Sequence, residues 1–125
     1  MDQEQKSIFL GTGGNLVSEE SLEKLKESLS IFASERNWEK YHTPKNLAMA
    51  LAREVGELLA EFQWMSNDES LNAMDSDSAE QIRNEIADVF IYLVRLADIL
   101  DIDLISAAND KIPLNAEKYP SGDLS

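Results

Sequence analysis

The chain is patterned for helices. Leu22, Leu25, Leu29 and Phe32 recur at intervals of 3, 4 and 3, which predicts an amphipathic helix from Ser18, read as its N-cap, to about Arg36. The segment NWEKYHTPKN breaks the period. It also supplies the start of a second helix, with Thr43 as N-cap and Pro44 in the first turn. Leu47, Leu51, Val55, Leu58, Leu59 and Phe62 share one side of that helix, predicted over 44–65, before the polar stretch SNDES. A third helix is expected over 78–100, and its segment EIADVFIYLVRLADIL is apolar on nearly every face, as in a central or interface helix. A fourth begins near Asp103, a cap, and carries LISAANDKI until Pro113 kinks or restarts it. Alternating β-branched runs and hairpin dipeptides are nearly absent, so the expected class is all-α, a four-helix bundle.

The division expected along the chain is a flexible N-terminal arm over 1–17, with Gly11, Gly13 and Gly14, one helical domain over 18–120, and a short tail over 121–125. A length of 125 residues, 43% of them hydrophobic, suits one domain. With no Cys, disulfides, zinc–thiolate sites and thiol nucleophiles are all excluded. No apolar run reaches the roughly 20 residues of a membrane span, and the start lacks the features of a signal peptide, which predicts a cytoplasmic protein. The formal charge of -13 opposes a nucleic-acid partner.

Most of that charge reads as solvated surface, but two acidic pairs stand apart. Glu54 and Glu57 on the second helix, and Glu85 and Asp88 on the third, are each spaced by three, so both members of a pair point the same way. Each pair borders its helix's apolar stripe. If both stripes enter one core, four negative charges face one another at its edge, where they repel or titrate unless a cation sits among the oxygens. All-oxygen ligation, with one His (His42) and no Cys, points to Mg²⁺ or Mn²⁺. Di-iron bundles need Glu-x-x-His on two helices, and neither pair continues to a His. Gly56, between the two glutamates, is read as a place of close backbone or ligand approach. Spacing alone predicts a divalent-metal site and stops short of a reaction.

The stretches FASERNWEKYHTPKNLAMALAREVGELLAEFQW, EIADVFIYLVRLAD and DKIPLNAEKYP resemble the MazG-like superfamily of all-α nucleoside triphosphate pyrophosphohydrolases, in particular its dCTP-pyrophosphatase-like branch, over about residues 20–120. The resemblance implies that Glu54, Glu57, Glu85 and Asp88 bind Mg²⁺. It implies addition of water at the α-phosphorus of a (d)NTP, giving a monophosphate and pyrophosphate in nucleotide-pool house-cleaning. Glu54 or Glu57, with Glu61 as an outer candidate, then takes the water's proton. Lys111, Asn115 and Tyr119 match the family's closing pattern: Lys111 and Lys118 would hold phosphates and Asn115 the sugar or base. Lys118 stands where Arg is expected, a point charge in place of a bidentate fork. Trp38 and Trp64, the latter seven residues after Glu57, are candidates for stacking on the base, His42 for hydrogen bonding to it, and Tyr92 for orienting a carboxylate. A homodimer or homotetramer is also implied. The competing interpretation is a non-catalytic nucleotide- or metal-binding helical module acting through protein partners.

Overall fold

The computed structural model describes residues 14–122, with side-chain surroundings from residue 21 onward. Among these residues five α-helices, in order α1 (Gly14–Glu35), α2 (Pro44–Phe62), α3 (Asn67–Leu71), α4 (Ala79–Ile99) and α5 (Leu104–Lys118), are joined by short links that include 3₁₀ turns at Glu39–Tyr41 and Ala73–Asp75. No strand occurs among the described residues, so the all-α expectation holds. The backbone falls into two compact units, Met1–Lys40 and Tyr41–Ser125. Residues 1–13 of the expected arm and 123–125 of the tail lie outside the described residues.

In the first unit α1 starts at Gly14, so Ser18 lies inside the helix and is not its cap. The helix ends on Asn37, whose positive φ of 56° lets the Trp38 N–H donate back to the Ala33 carbonyl at 2.9 Å, the 6→1 closure of a Schellman turn. Arg36 lies over the Phe32 ring at 3.4 Å, and Trp38 meets that ring edge-on at 5.6 Å.

In the second unit α2 begins where the sequence predicts. The Thr43 side chain accepts from the Asn46 N–H and Pro44 occupies the first turn, satisfying an orphan donor and needing none from the proline. The helix stops at Phe62, three residues before the expected end. The SNDES stretch, expected as loop, contains α3: the Ser66 hydroxyl accepts from Glu69 N–H and the Glu69 carboxylate accepts from Ser66 N–H, a capping box. Asp103 caps α5 through the Ser106 N–H at 3.0 Å. Pro113 neither ends nor restarts α5, which is continuous through it to Lys118. Its missing N–H costs one ladder bond near the middle of an exposed helix.

Helices α2 and α4 are the principal packing pair of this unit. Leu47, Ile82, Val94 and Ala97 are its buried apolar residues on these two helices. Of the stripe predicted on α2, Leu51, Leu58 and Phe62 are half-buried, whereas Val55 and Leu59 are exposed. On α4, Ile86, Phe90 and Leu93 are exposed as well, spaced 4 and 3 apart on one face. A helix apolar all round thus keeps one apolar strip uncovered among the described residues. The principal pair also brings the two acidic motifs together.

Candidate metal centre

Seven residues separate Leu47 from Glu54, two helical turns, so both occupy the face of α2 turned into the α4 contact. Ile82 and Glu85 are related by three residues on α4. Glu54 and Glu85 are accordingly buried, each 6% exposed, deeper than the core-edge position expected from the pattern. Asp88, one turn beyond Glu85, is more open, and single oxygens of Glu54, Glu85 and Asp88 lie within 4.8 Å of one another. Glu57 is exposed at the mouth of this group, close enough that Glu54 first, then Glu85, hold its carboxyl above the usual glutamate range. Burial, reinforced by Glu54 and Glu85, raises Asp88 in the same sense. Both shifts are what crowding of like charges in a partly dry space produces.

Three neighbours set the state of the buried oxygens. Arg53 donates through Nε (3.2 Å) and Nη2 (2.9 Å) to Glu54 Oε2. Tyr92 of α4 is a second polar neighbour of that guanidinium, which places the phenol beside the cluster. Gln81, one turn before Glu85, donates Nε2–H to Glu85 Oε2 at 2.8 Å. Glu85 Oε1 is buried and has no hydrogen-bond partner. A buried acceptor is normally satisfied, and here the chemistry around it is three further carboxylates. The donor set therefore fits a hard divalent cation, which supplies the positive charge that this oxygen lacks.

The remaining predicted residues lie elsewhere. Glu61, in the last turn of α2, and Trp64, just after it, share an open groove with Met65, Asp68 and Asp75, and Trp64 is 88% exposed. α2 stops at Phe62, so Trp64, expected within the helix, stands in the turn that follows it. His42 accepts a 3.2 Å bond at Nδ1 from Arg95 Nε. Lys111, Asn115 and Lys118 project from α5, where every residue after Leu104 is exposed. The Asn115 carbonyl accepts from the Tyr119 N–H at the helix end, and Lys118 Nζ lies 5.3 Å from the Tyr119 ring centre. Trp38 belongs to the first unit. The spacing of the acids does not point to Arg53, adjacent in sequence to its partner, or to Gln81, although a polar residue four before Glu85 is a legible signal.

Comparison with known proteins gives the class. The MazG-like family model matches residues 50–124, which include all four carboxylates, and the chain belongs to the MazG-like family. It is 41% identical over 103 residues to dCTP pyrophosphatase 1 of Mus musculus and 38% identical over 104 residues to dCTP pyrophosphatase 1 of Homo sapiens. Each match covers 82% of this chain and 61% of the relative, so the chain corresponds to less than two thirds of either protein. The crystal structure of a pyrophosphatase from Archaeoglobus fulgidus superimposes with a TM-score of 0.74 at 44% identity, over 80% of this chain and 93% of that one. The fold is thus that of a helical pyrophosphatase. No helix among the described residues is long and apolar enough to cross a membrane.

Proposed function

We propose that the protein is a Mg²⁺-dependent nucleoside triphosphate pyrophosphohydrolase that converts a (d)NTP to (d)NMP and pyrophosphate, in cytoplasmic nucleotide-pool house-cleaning. The observation that carries this reading is the buried carboxylate group on α2 and α4, with Glu85 Oε1 lacking a donor. Glu54, Glu57, Glu85 and Asp88 would hold the metal, with Mn²⁺ as a substitute. When bound, the cation neutralises triphosphate charge, polarises the attacked phosphorus and lowers the pKa of coordinated water. The chain's own groups do the rest. Water adds at the α-phosphorus, the bond from that phosphorus to the bridging oxygen of the β-phosphate breaks, and pyrophosphate leaves. A glutamate of α2 receives the water's proton, and Glu57, the exposed one of the pair, is best placed to meet solvent. Arg53 keeps one oxygen of Glu54 engaged and so fixes its rotamer.

A deoxycytidine triphosphate is the first substrate to try, since the curated mouse and human relatives are dCTP pyrophosphatases. Lys111 and Lys118 supply cations for the phosphates, Asn115 a polar contact to sugar or base, and Trp64 a ring face for stacking. The uncovered strip of Ile86, Phe90 and Leu93 supports a homodimer or homotetramer. The test is incubation with a panel of (d)NTPs and Mg²⁺, reading pyrophosphate and monophosphate. Metal and nucleotide binding without pyrophosphate release from any member sinks the hydrolase reading in favour of a binding module.

A further inference from the structure

The two buried carboxylates of the centre are each held from outside by a residue of their own helix. On α2, Arg53 donates through Nε and Nη2 to Glu54, and both bonds, 3.2 and 2.9 Å long, end on the same oxygen, Oε2. A guanidinium commonly spans both oxygens of a carboxylate, one N–H to each, so convergence on one oxygen is a feature of this pair. On α4, Gln81 donates to Oε2 of Glu85 at 2.8 Å. The other oxygen, Oε1, is buried without a partner, in a residue only 6% exposed.

A cation can be held by one oxygen of a carboxylate or by both. Chelation by both turns the carboxyl group until its oxygens are about equally distant from the ion. An oxygen already bonded to a donor outside the cluster resists that turn. The distinction decides which ion fits. Ca²⁺ gathers roughly six to eight oxygens and often takes two from one carboxylate, whereas Mg²⁺ keeps a strict octahedron and several waters, so single oxygens suit it.

We propose that Arg53 and Gln81 are positioning residues that limit Glu54 and Glu85 to one oxygen each, and so set the preference of the centre for Mg²⁺ or Mn²⁺ over Ca²⁺. This rests on the metal part of the reading above and is independent of which nucleotide is hydrolysed. The two residues differ in charge. The guanidinium of Arg53 opposes any dication, weakening Mg²⁺ and Ca²⁺ alike, whereas Gln81 is neutral. The ratio of the two affinities therefore separates positioning from charge. Damage to the fold that weakens both ions leaves that ratio unmoved.

The test is calorimetric titration of the full-length protein with Mg²⁺ alone and with Ca²⁺ alone, without nucleotide. Wild-type protein prefers Mg²⁺. Gln81→Leu, close to glutamine in volume, lowers that preference about tenfold, the usual effect of removing an outer partner of a metal ligand. Arg53→Met tightens both ions by removing a charge and shifts the ratio in the same direction, whereas Arg53→Lys, which keeps the charge and a donor, stays nearer to wild type. If the variants do not fold, a crystal structure of the wild-type protein with Mn²⁺ carries the test. Glu54 and Glu85 then each meet the ion through one oxygen, with Arg53 and Gln81 still on the other. The proposal is overturned by a wild-type protein without preference for Mg²⁺, by a ratio unchanged in both Gln81→Leu and Arg53→Met, or by either glutamate chelating Mn²⁺ through both oxygens. A wild-type protein that binds neither ion defeats the metal reading and this proposal together. The expected ratios in a protein that turns over no nucleotide uphold the proposal and defeat only the hydrolase reading.

Discussion

The acidic face between α2 and α4 and the exposed helix α5, which carries Lys111 and Lys118 beside Asp110 and Glu117, are halves of one proposed site, and they are built differently. On α2 and α4 the ionisable groups are part of the packing: Glu54 and Glu85 are buried, and Arg53 and Gln81 hold two of their oxygens. On α5 the groups offered to phosphate, Lys111 and Lys118, stand on a helix exposed along its length. The acidic half is preorganised and strained by its own charge. The half on α5 is exposed, and its lysines are free of that crowding. Rate should therefore depend most on the first and affinity on the second.

The largest effect is expected in the buried pair. Glu85→Gln or Glu54→Gln should lower kcat at least about 100-fold, since transition-state charge stabilisation by a metal is worth several kcal/mol. The comparison breaks if either variant keeps more than a tenth of wild-type kcat at saturating Mg²⁺. Lys111→Ala should cost less, about tenfold in kcat/KM and mostly in KM, as for loss of one charge-assisted contact. A kcat loss equal to that of Glu85→Gln would show that α5 is as preorganised as the carboxylates.

Stability separates the halves again, through pH. The folded-state pKa values of Glu57 and Asp88 are raised, so the stability associated with their protonated forms is complete below their ordinary values near 4. It is lost as pH rises through the higher folded values. The difference in Tm between metal-loaded and metal-free protein should therefore widen from about pH 4 toward neutrality. His42, lowered in the fold, acts in the opposite sense, costing stability as pH falls below about 6.5. It contributes equally to both forms and cancels in the difference. In metal-free protein Glu57→Gln should raise Tm at pH 7 while abolishing most activity, and calorimetry showing a lowered Tm would contradict charge crowding. The smallest effect belongs to a place remote from both halves. Thr43→Ala removes the α2 cap bond and should cost about 1 kcal/mol of unfolding free energy with kcat unchanged.

What could be read in advance follows the range of the interactions. The Thr43–Pro44 start, the Asp103 cap and the three-residue spacing of the carboxylates are local, and each was legible in the sequence. The capping box of Ser66 and Glu69 carries an equally local signature, but the helix it starts is only five residues long, too short to show a period. Pro113 misled because proline's usual helix-breaking effect is tolerated on an exposed helix. The end of α2 was placed beyond Trp64 because the apolar pattern continues after the hydrogen-bond ladder stops. Arg95 on His42 was out of reach altogether, since no pattern relates residues 53 apart. Gly56, read as a point of close approach, has nothing within 4 Å of where a Cβ would stand, so no part of the described chain makes that approach.

Glu85 Oε1 has one more consequence, for how long the molecule lasts. A fold that keeps a buried oxygen without a donor opens more often than one in which a cation binds that oxygen, and opening is what proteases exploit. The half-life of the chain in a protease-containing mixture should therefore track free divalent cation, so that metal supply governs how much of the protein persists as well as how fast each copy works.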